Sequence, residues 1–199
     1  MKSSPKTKGQ SGGPTIEIIK VPEGVPRWHL VHQFLNVREE VFVQGLGWDL
    51  NTVAGTGEFE QYDTFDTVYA IAHEKDRVIG GGRLLRTDNK NGIYTYMIKD
   101  ACAGSLPGMP EDLCFRAPPA SSKVWELTRF FSDGRGVTTA LLLAAIVDYL
   151  KSEHATECLI LGSPAFPRRA RVLGYELDPI GPIVANDDCK FQAFSCALK

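Results

Sequence analysis

The sequence predicts a single α/β domain in which a mixed central sheet is flanked by helices. Its segments follow each other in the order helix, β-hairpin, strand, helix, strand, helix and strand, which is typical of a mixed sheet and not of a helical bundle or a β-sandwich. The 199 residues are 43% hydrophobic and 23% charged, values that suit one domain with a substantial core. We expect the domain to span residues 15–199, behind a disordered lead-in over residues 1–14 that is rich in glycine, serine, proline and lysine.

Two periodicities identify the elements of the N-terminal half. Apolar residues alternate as in a strand just after the lead-in, and between Trp28 and Val43 they recur on one face of a helix. A polar turn over residues 74–77 then joins two apolar strands into a hairpin. The predicted elements are a strand over 15–21, a helix over 28–43 ended by Gly45 and Gly47, a loop over 49–61, and hairpin strands over 65–73 and 78–86.

The C-terminal half alternates strands with helices. Residues 140–150 (ALLLAAIVDYL) are strongly apolar and predict a buried helix, whereas the basic stretch before Gly174 predicts a short surface helix. The predicted elements are strands over 125–132 and 157–161, helices over 140–150 and 168–173, and a final strand pair within 175–197.

Two glycine-rich segments have alternative interpretations. The run Gly80–Gly82 lies inside a predicted strand, where glycine indicates a bulge or a close backbone approach and not a phosphate-binding loop. The turn Asp133–Gly136 instead follows a strand and precedes a helix. It is either an anion site made by free N–H groups at the helix start, or a simple turn in which Thr138 or Thr139 caps the helix.

The charge of the chain is unevenly distributed. The formal net charge is −2, which gives no reason to expect a nucleic-acid partner. Residues 39–66, however, contain seven acidic residues and no lysine or arginine. Asp63 and Asp66 lie next to Tyr62 and Phe65 in this acidic block. The block is therefore either a set of solvated loop acids or a cage of carboxylates and aromatic rings for a cationic ligand.

The cysteines and histidines indicate neither disulfides nor a metal. The cysteine count of five is odd and no C-x-x-C pair is present, so we expect reduced thiols in a cytoplasmic protein. His29 and His32 lie three residues apart on the predicted helix, but no third ligand has a matching spacing, and no metal site is predicted. No apolar run reaches the length of a membrane span.

Charged residues also occur inside the apolar strand over 125–132. Alternation predicts that Glu126, Thr128 and Phe130 lie on one face of the strand and Trp125, Leu127 and Arg129 on the other. A buried carboxylate is costly unless it is paired or functional. Arg83, in the middle of another strand, is a candidate partner, so Glu126 is either half of a structural ion pair or a functional group.

Five short segments together indicate a family. They are Val37–Phe42 (VREEVF), Leu46–Trp48 (LGW), Gln61–Asp66 (QYDTFD), Gly82–Leu85 (GRLL) and Trp125–Phe130 (WELTRF). In this order and at these spacings the chain resembles the acyl-homoserine lactone synthases, the autoinducer synthases of bacterial quorum sensing. The resemblance implies an N-acetyltransferase-like fold. It also implies a reaction, in which an acyl group passes from acyl carrier protein or acyl-CoA to S-adenosylmethionine, the product closes to a lactone, and methylthioadenosine is released.

The resemblance implies roles for eight positions, which are Arg38, Phe42, Trp48, Asp63, Asp66, Arg83, Glu126 and Arg129. Glu126 is the expected general base for the α-amine of the substrate, and Arg83, Arg129, Asp63 and Asp66 complete the catalytic set. The residues expected to bind S-adenosylmethionine are Arg38, Phe42, Trp48, Asp63 and Asp66. Thr128 stands where many relatives have serine, and Gly92–Met97 is a loose version of the usual Pro-Tyr-Met-Leu segment.

Two further sets complete the expected site. The acyl pocket is expected between the central strands and the 140–150 helix, with the residues Met97, Leu127, Thr128, Leu142, Ile146 and Phe166. The basic residues Lys151, Arg168, Arg169 and Arg171 form either a docking surface for an acidic acyl carrier protein or an ordinary solvated helix face. We expect a monomer that uses S-adenosylmethionine as a cosubstrate and no other cofactor. The alternative function is that of a related N-acyltransferase acting on another amine, such as an amino acid.

Overall fold

The computed structural model of the protein describes residues 13–23, 25–185 and 189–199. Residues 1–12 of the predicted lead-in lie outside the described residues. The described helices are a 3-10 turn (Val25–Arg27), α1 (Trp28–Arg38) with a π-helical continuation (Glu39–Gly45), α2 (Met97–Cys102), α3 (Gly136–Ser152) and α4 (Phe166–Val172). The described strands are β1 (Thr15–Lys20), β2 (Thr52–Val53), β3 (Gly57–Glu58), β4 (Val68–Glu74), β5 (Arg77–Arg86), β6 (Val124–Ser132), β7 (Glu157–Gly162), β8 (Asp178–Pro179), β9 (Val184–Ala185) and β10 (Lys190–Ala197).

The main sheet has the strand order β1-β4-β5-β6-β7-β10-β8, and β9 pairs with β10. Its strands are antiparallel except for β6 and β7, which are parallel. The predicted mixed sheet is therefore confirmed. β2 and β3 form a separate two-residue hairpin inside the stretch that was predicted as a loop, because strands this short show no periodicity.

Helices cover both faces of the sheet. On one face, α3 buries Leu142, Ile146 and Leu150 against a cluster that includes Leu84 and Leu127. On the other face, α1 packs against β4 and β5 and α2 packs near β6 and β7. Among the described residues, no helix combines the length and the apolar character needed to span a membrane.

The helix predicted over residues 28–43 is continuous but changes its winding. It is α-helical to Arg38 and π-helical from Glu39 to Gly45. Phe42, in this π-helical segment, lies in the core. Its ring contacts Phe131 edge to face with the ring centres 6.1 Å apart and stacks on Trp48 at 5.1 Å. Short π segments of this kind often occur at functional sites.

A β-bulge in β6 corrects the predicted face of Arg129. Thr128 pairs with Arg83 and Phe131 pairs with Gly81, so two residues of β6 oppose the single residue Gly82. Arg129 takes a positive φ of 53° at this point. The bulge interrupts the alternation, and Arg129 consequently lies on the same face as Glu126, whereas the ring of Phe130 packs toward α3.

The Gly80–Gly82 run lies in a strand where neighbouring residues approach the backbone closely, as the sequence predicted. A Cβ atom on Gly81 would lie 2.6 Å from the ring of Phe34, and one on Gly82 would lie 2.8 Å from Leu127.

At the other glycine-rich segment, α3 begins at Gly136 with Arg135 as its N-cap and no side-chain cap. The predicted capping by Thr138 or Thr139 is therefore not observed.

Candidate active site

A buried ion cluster joins four parts of the fold on the face that α1 and α2 cover. Its cations are Arg38 from α1, Arg83 from β5 and Arg129 from β6, and its anions are Glu58, Glu60 and Asp63 from β3 and the loop that follows. The partners lie between 20 and 71 residues apart in the chain. Folding alone brings these charges together.

Asp63 is at the centre of the cluster, and its side chain is 0% exposed. Its two carboxylate oxygens accept hydrogen bonds from Arg38 at 2.7 and 3.1 Å, from Arg83 at 3.2 Å and from the hydroxyl of Tyr69 at 2.9 Å. The backbone N–H of Glu60 also donates to it at 3.0 Å. Burial alone would raise the pKa of Asp63, but the two guanidinium groups outweigh burial and hold that pKa well below its ordinary value.

Glu58 and Glu60 complete the cluster and were not predicted as site residues. Arg38 and Arg129 both donate hydrogen bonds to Glu58, Arg129 at 3.2 Å. Burial alone would raise the pKa of Glu58, but the two arginines outweigh burial and lower that pKa. Glu60 bridges Arg83 at 2.5 Å and Arg129 at 2.9 Å. Both residues belong to the acidic block, which is the sequence signal that could have identified them.

The cluster changes the interpretation of the acidic block. Three of its seven acids are neutralised by three arginines, so Asp63 is not a free carboxylate that awaits a cationic ligand. Asp66 is exposed and lies outside the cluster, which does not support the expected grouping of Asp63 with Asp66. The block members that remain on the surface without a described ion pair are Glu39, Glu40, Asp49 and Asp66.

Aromatic side chains line the cluster in a different way from the predicted cage. Phe42 and Trp48 stack with their ring centres 5.1 Å apart, and the guanidinium of Arg129 lies 5.8 Å from the Phe42 ring centre. Tyr62 is buried, whereas Phe65 is 78% exposed. The structure therefore brings Phe42 and Trp48 to the cluster but does not place Tyr62 and Phe65 together as walls of one cage.

Glu126 lies on the same face of the sheet as the cluster but has a different set of partners. Its carboxylate accepts the backbone N–H groups of Met97 at 3.0 Å and Ile98 at 2.8 Å, at the start of α2. Burial raises its pKa to about 7, although the two N–H donors and Arg83 act in the opposite direction. The candidate ion pair between Glu126 and Arg83 is not formed, because Arg83 binds Glu60, Asp63 and the hydroxyl of Thr128 instead.

The six residues expected to form the acyl pocket do not line one cavity. Leu127, Leu142, Ile146 and Phe166 belong to or pack against the core beneath α3, where the cavity measures only about 30 Å³. Met97 and Thr128 lie on the opposite face, next to Glu126 and Arg83. The sheet therefore separates the six residues into two groups.

The four basic residues expected to dock an acyl donor lie on the surface. Lys151 is exposed in the last turn of α3, and Arg168, Arg169 and Arg171 are exposed on α4. Leu150 and Ala170 line the same small cavity, so the two helices that carry these cations are neighbours. Among the described residues, no group of three or more histidine, cysteine or acidic side chains has a geometry suited to a metal ion.

Comparisons with known proteins agree with this architecture. The sequence profile of the autoinducer synthase family matches residues 27–188. An acyl-homoserine-lactone synthase of Ralstonia solanacearum is 42% identical over 113 residues, which are 56% of this chain but only 47% of that protein. An acyl-homoserine-lactone synthase of Acinetobacter nosocomialis is 27% identical over 182 residues, which cover 85% of this chain and 91% of the relative.

Solved structures confirm the fold class. A CoA-dependent acyl-homoserine lactone synthase, BjaI, solved with SAM and isopentyl-CoA, matches 94% of this chain and 84% of its own with a TM-score of 0.78 at 22% identity. A putative N-acetyltransferase from Lactobacillus plantarum matches 94% of this chain and all of its own with a TM-score of 0.58 at 16% identity. The predicted N-acetyltransferase-like α/β fold is thus confirmed.

Proposed function

Because the chain belongs to the autoinducer synthase family, we propose that it is an acyl-homoserine-lactone synthase. It moves an acyl group from a thioester to the α-amine of S-adenosylmethionine. The amine nitrogen attacks the thioester carbonyl and the thiol leaves. The carboxylate of the same substrate then attacks its γ-carbon, and the bond between that carbon and the sulfonium sulfur breaks. This step closes the lactone and releases methylthioadenosine.

The observation that supports this proposal best is the placement of Glu126. It is a fully buried carboxylate without an arginine partner, on the sheet face where six charged groups already compensate one another. With a pKa of about 7 it is partly ionised at neutral pH and suited to accept the proton that the α-ammonium must lose, directly or through one water. Arg83, Arg129 and Asp63 act as the rigid support beside this base.

S-adenosylmethionine binds on the same face. The stacked pair Phe42 and Trp48 offers an aromatic surface for its adenosyl and sulfonium groups. Arg38 and Asp63 hold the π-helical segment against β4 and β5 through their ion pair at 2.7 Å. Asp66 and the other surface acids of the block add a negative potential that favours a cationic substrate.

The acyl donor enters where β6 and β7 separate. Their parallel pairing ends at Leu127 and Ile160, and from Thr128 onward β6 pairs only with β5 among the described strands. The open edge of β6 supplies backbone N–H groups to the oxyanion that forms at the thioester carbon. The acyl chain then lies on the Glu126 face beside Met97 and Thr128, because a chain beneath α3 would be separated from the base by the sheet.

Docking, assembly and location follow from the same reaction. The basic surface of Lys151, Arg168, Arg169 and Arg171 binds an acidic acyl carrier protein, or the phosphate groups of acyl-CoA, by charge complementarity. We propose that the protein acts as a monomer. Its substrates are products of cytoplasmic metabolism, so we place it in the cytoplasm.

Release of methylthioadenosine tests the proposed function. The purified protein is incubated with S-adenosylmethionine, a mixture of amino acids, and a panel of acyl carrier protein and CoA thioesters of different chain length. We expect methylthioadenosine and an acyl-homoserine lactone in equal amounts, measured by chromatography and mass spectrometry. An acylated amino acid in place of the lactone would favour the alternative N-acyltransferase function, and the absence of methylthioadenosine with every donor would contradict the synthase function.

A further inference from the structure

Two buried carboxylates accept hydrogen bonds from the segment where α2 begins, and only one of them has a role in the proposed reaction. Glu126 is 0% exposed and Asp100 is 4% exposed. Neither forms an ion pair within the described parts of the chain, unlike Glu58, Glu60 and Asp63. Burying a carboxylate without a cation is costly, so the presence of Asp100 needs a reason.

Asp100 folds back onto the turn that precedes its own helix. It accepts hydrogen bonds from the backbone N–H of Thr95 at 2.8 Å and from the hydroxyl of Thr95 at 2.5 Å. The hydroxyl of Tyr62 donates a third bond at 2.9 Å. The N–H groups of Met97 and Ile98, the first two residues of α2 and two and three residues after Thr95, are the donors to Glu126.

Tyr62 extends this arrangement to the ion cluster. Its ring centre lies 5.4 Å from the guanidinium of Arg83, and its neighbour in sequence is Asp63. Asp100 therefore connects three parts of the site: the turn that binds Glu126, the loop that carries Asp63, and the strand that carries Arg83.

We propose that Asp100 is a positioning residue for Glu126, which holds the two N–H donors on the Glu126 carboxylate and keeps a second negative charge beside it. The proposal rests on the proposed function only in taking Glu126 as the base. The two effects of Asp100 oppose each other, because hydrogen bonds favour the ionised carboxylate and a like charge favours the protonated one. Their balance leaves Glu126 able both to take up and to release a proton near neutral pH.

The other groups around Glu126 are uncharged at neutral pH. Tyr62 approaches from the loop before β4, Tyr96 from the N-cap of α2, Cys114 from the segment after α2, and Cys158 from β7. Burial raises the pKa of each of them, that of Cys114 to about 12. The charged groups that act on the pKa of Glu126 are Arg83 from β5, which lowers it, and Asp100 from α2, which raises it.

Titration of Glu126 in the intact protein tests the proposal. Glutamate carboxyl carbons are labelled with ¹³C and their chemical shifts are followed from pH 4 to pH 9, and the signal of Glu126 is assigned by its absence in Glu126→Gln. Asparagine keeps the size of Asp100 and an oxygen that accepts the Thr95 N–H, so Asp100→Asn leaves the turn in place and removes only the charge. We therefore expect this variant to lower the pKa of Glu126 by about half a unit or more. An unchanged or raised pKa in this variant would overturn the proposal.

Tyr62→Phe is the matched control. It removes one hydrogen bond to Asp100 but leaves both carboxylates and Arg83 in place, so the pKa of Glu126 should stay within about 0.2 units of the wild-type value. A shift equal to that of Asp100→Asn would show that loosened packing, and not the charge, is responsible. If Asp100→Asn does not fold, Asp100→Ser removes the charge with a smaller side chain and is judged by the same criterion.

The titration does not depend on turnover, so its outcome is separable from the proposed function. A wild-type protein that releases no methylthioadenosine would contradict the synthase function and still allow the Glu126 titration to be read. In an active protein, the acidic limb of the kcat profile should move to lower pH in Asp100→Asn together with the titration. A loss of thermal stability without a shift of that limb would mark Asp100 as merely structural.

Discussion

Replacing Asp63 with asparagine removes the central negative charge of the buried ion cluster. The wild-type carboxylate accepts bonds from Arg38, Arg83, Tyr69 and the N–H of Glu60, and asparagine keeps its size but not its charge. Three arginines would then face two carboxylates in a site closed to water. Removing one partner of a buried ion pair costs about 3–5 kcal/mol.

The magnitude can be measured by urea unfolding and by calorimetry. At about 2–4 °C per kcal/mol for a domain of this size, the loss corresponds to a fall in Tm of about 6–20 °C. Asp66→Asn is the matched control, because Asp66 is an exposed acid three residues away and its loss should change the free energy of unfolding by less than about 0.5 kcal/mol. Equal stability of the two variants would refute the buried cluster as a stabilising unit.

The same variant has a signature in its pH dependence. Because the pKa of Asp63 is lowered in the folded protein, its contribution to stability is present above the ordinary carboxyl pKa and is lost as the pH falls through the lowered value. The difference in unfolding free energy between the wild type and Asp63→Asn should therefore shrink as the pH falls below about 4. A difference that stays constant down to pH 2 would contradict this reasoning.

Three further variants test other parts of the site. Glu126→Gln should lower turnover by about 100-fold or more but should retain the affinity for S-adenosylmethionine, measured by calorimetric titration. Turnover of the wild type should rise with pH through about 7, because Glu126 loses its proton there. Unchanged turnover in the variant would exclude Glu126 as the base. Gly81→Ala should cost about 1–3 kcal/mol in urea unfolding, because its Cβ would lie 2.6 Å from the Phe34 ring, whereas Gly136→Ala, which meets open space, should not show this loss. Trp48→Ala should weaken S-adenosylmethionine binding by about 0.5–2 kcal/mol if the stacked ring contacts the substrate, and an unaltered Kd would remove it from the binding set.

The elements that the sequence predicted correctly are those long enough to show a periodicity. The strands at 68–74 and 124–132 are buried on both faces and appear as nearly continuous apolar runs, whereas the helix at 136–152 buries one face and shows the helical spacing. α2 and the β2–β3 hairpin were missed because they span six residues and two residues per strand. α2 depends instead on Glu126, whose carboxylate satisfies its first N–H groups from another part of the chain.

Several residues of the candidate site could also be predicted from the sequence. Arg38, Arg83, Asp63 and Arg129 were expected in it, and the structure brings all four together. The second acid beside Asp63 in the cluster is Glu60 and not the expected Asp66. Glu60 lies three residues before Asp63, whereas Asp66 lies three residues after it. Sequence spacing does not distinguish these two acids, because the direction of each side chain depends on a loop without regular structure.

The sequence by itself determined the fold class and the family, and it identified four of the six residues of the ion cluster, since these follow from apolar periodicity and from residue types at fixed spacings. It also showed that residues 39–66 contain seven acidic residues and no lysine or arginine. Only the tertiary structure decided that three of these acids are neutralised by arginines from distant elements, that a bulge turns Arg129 toward them, and that Glu126 stays unpaired with a pKa of about 7. The physical reason is that ion pairing and desolvation depend on distance and burial in space, and neither quantity is a function of separation along the chain.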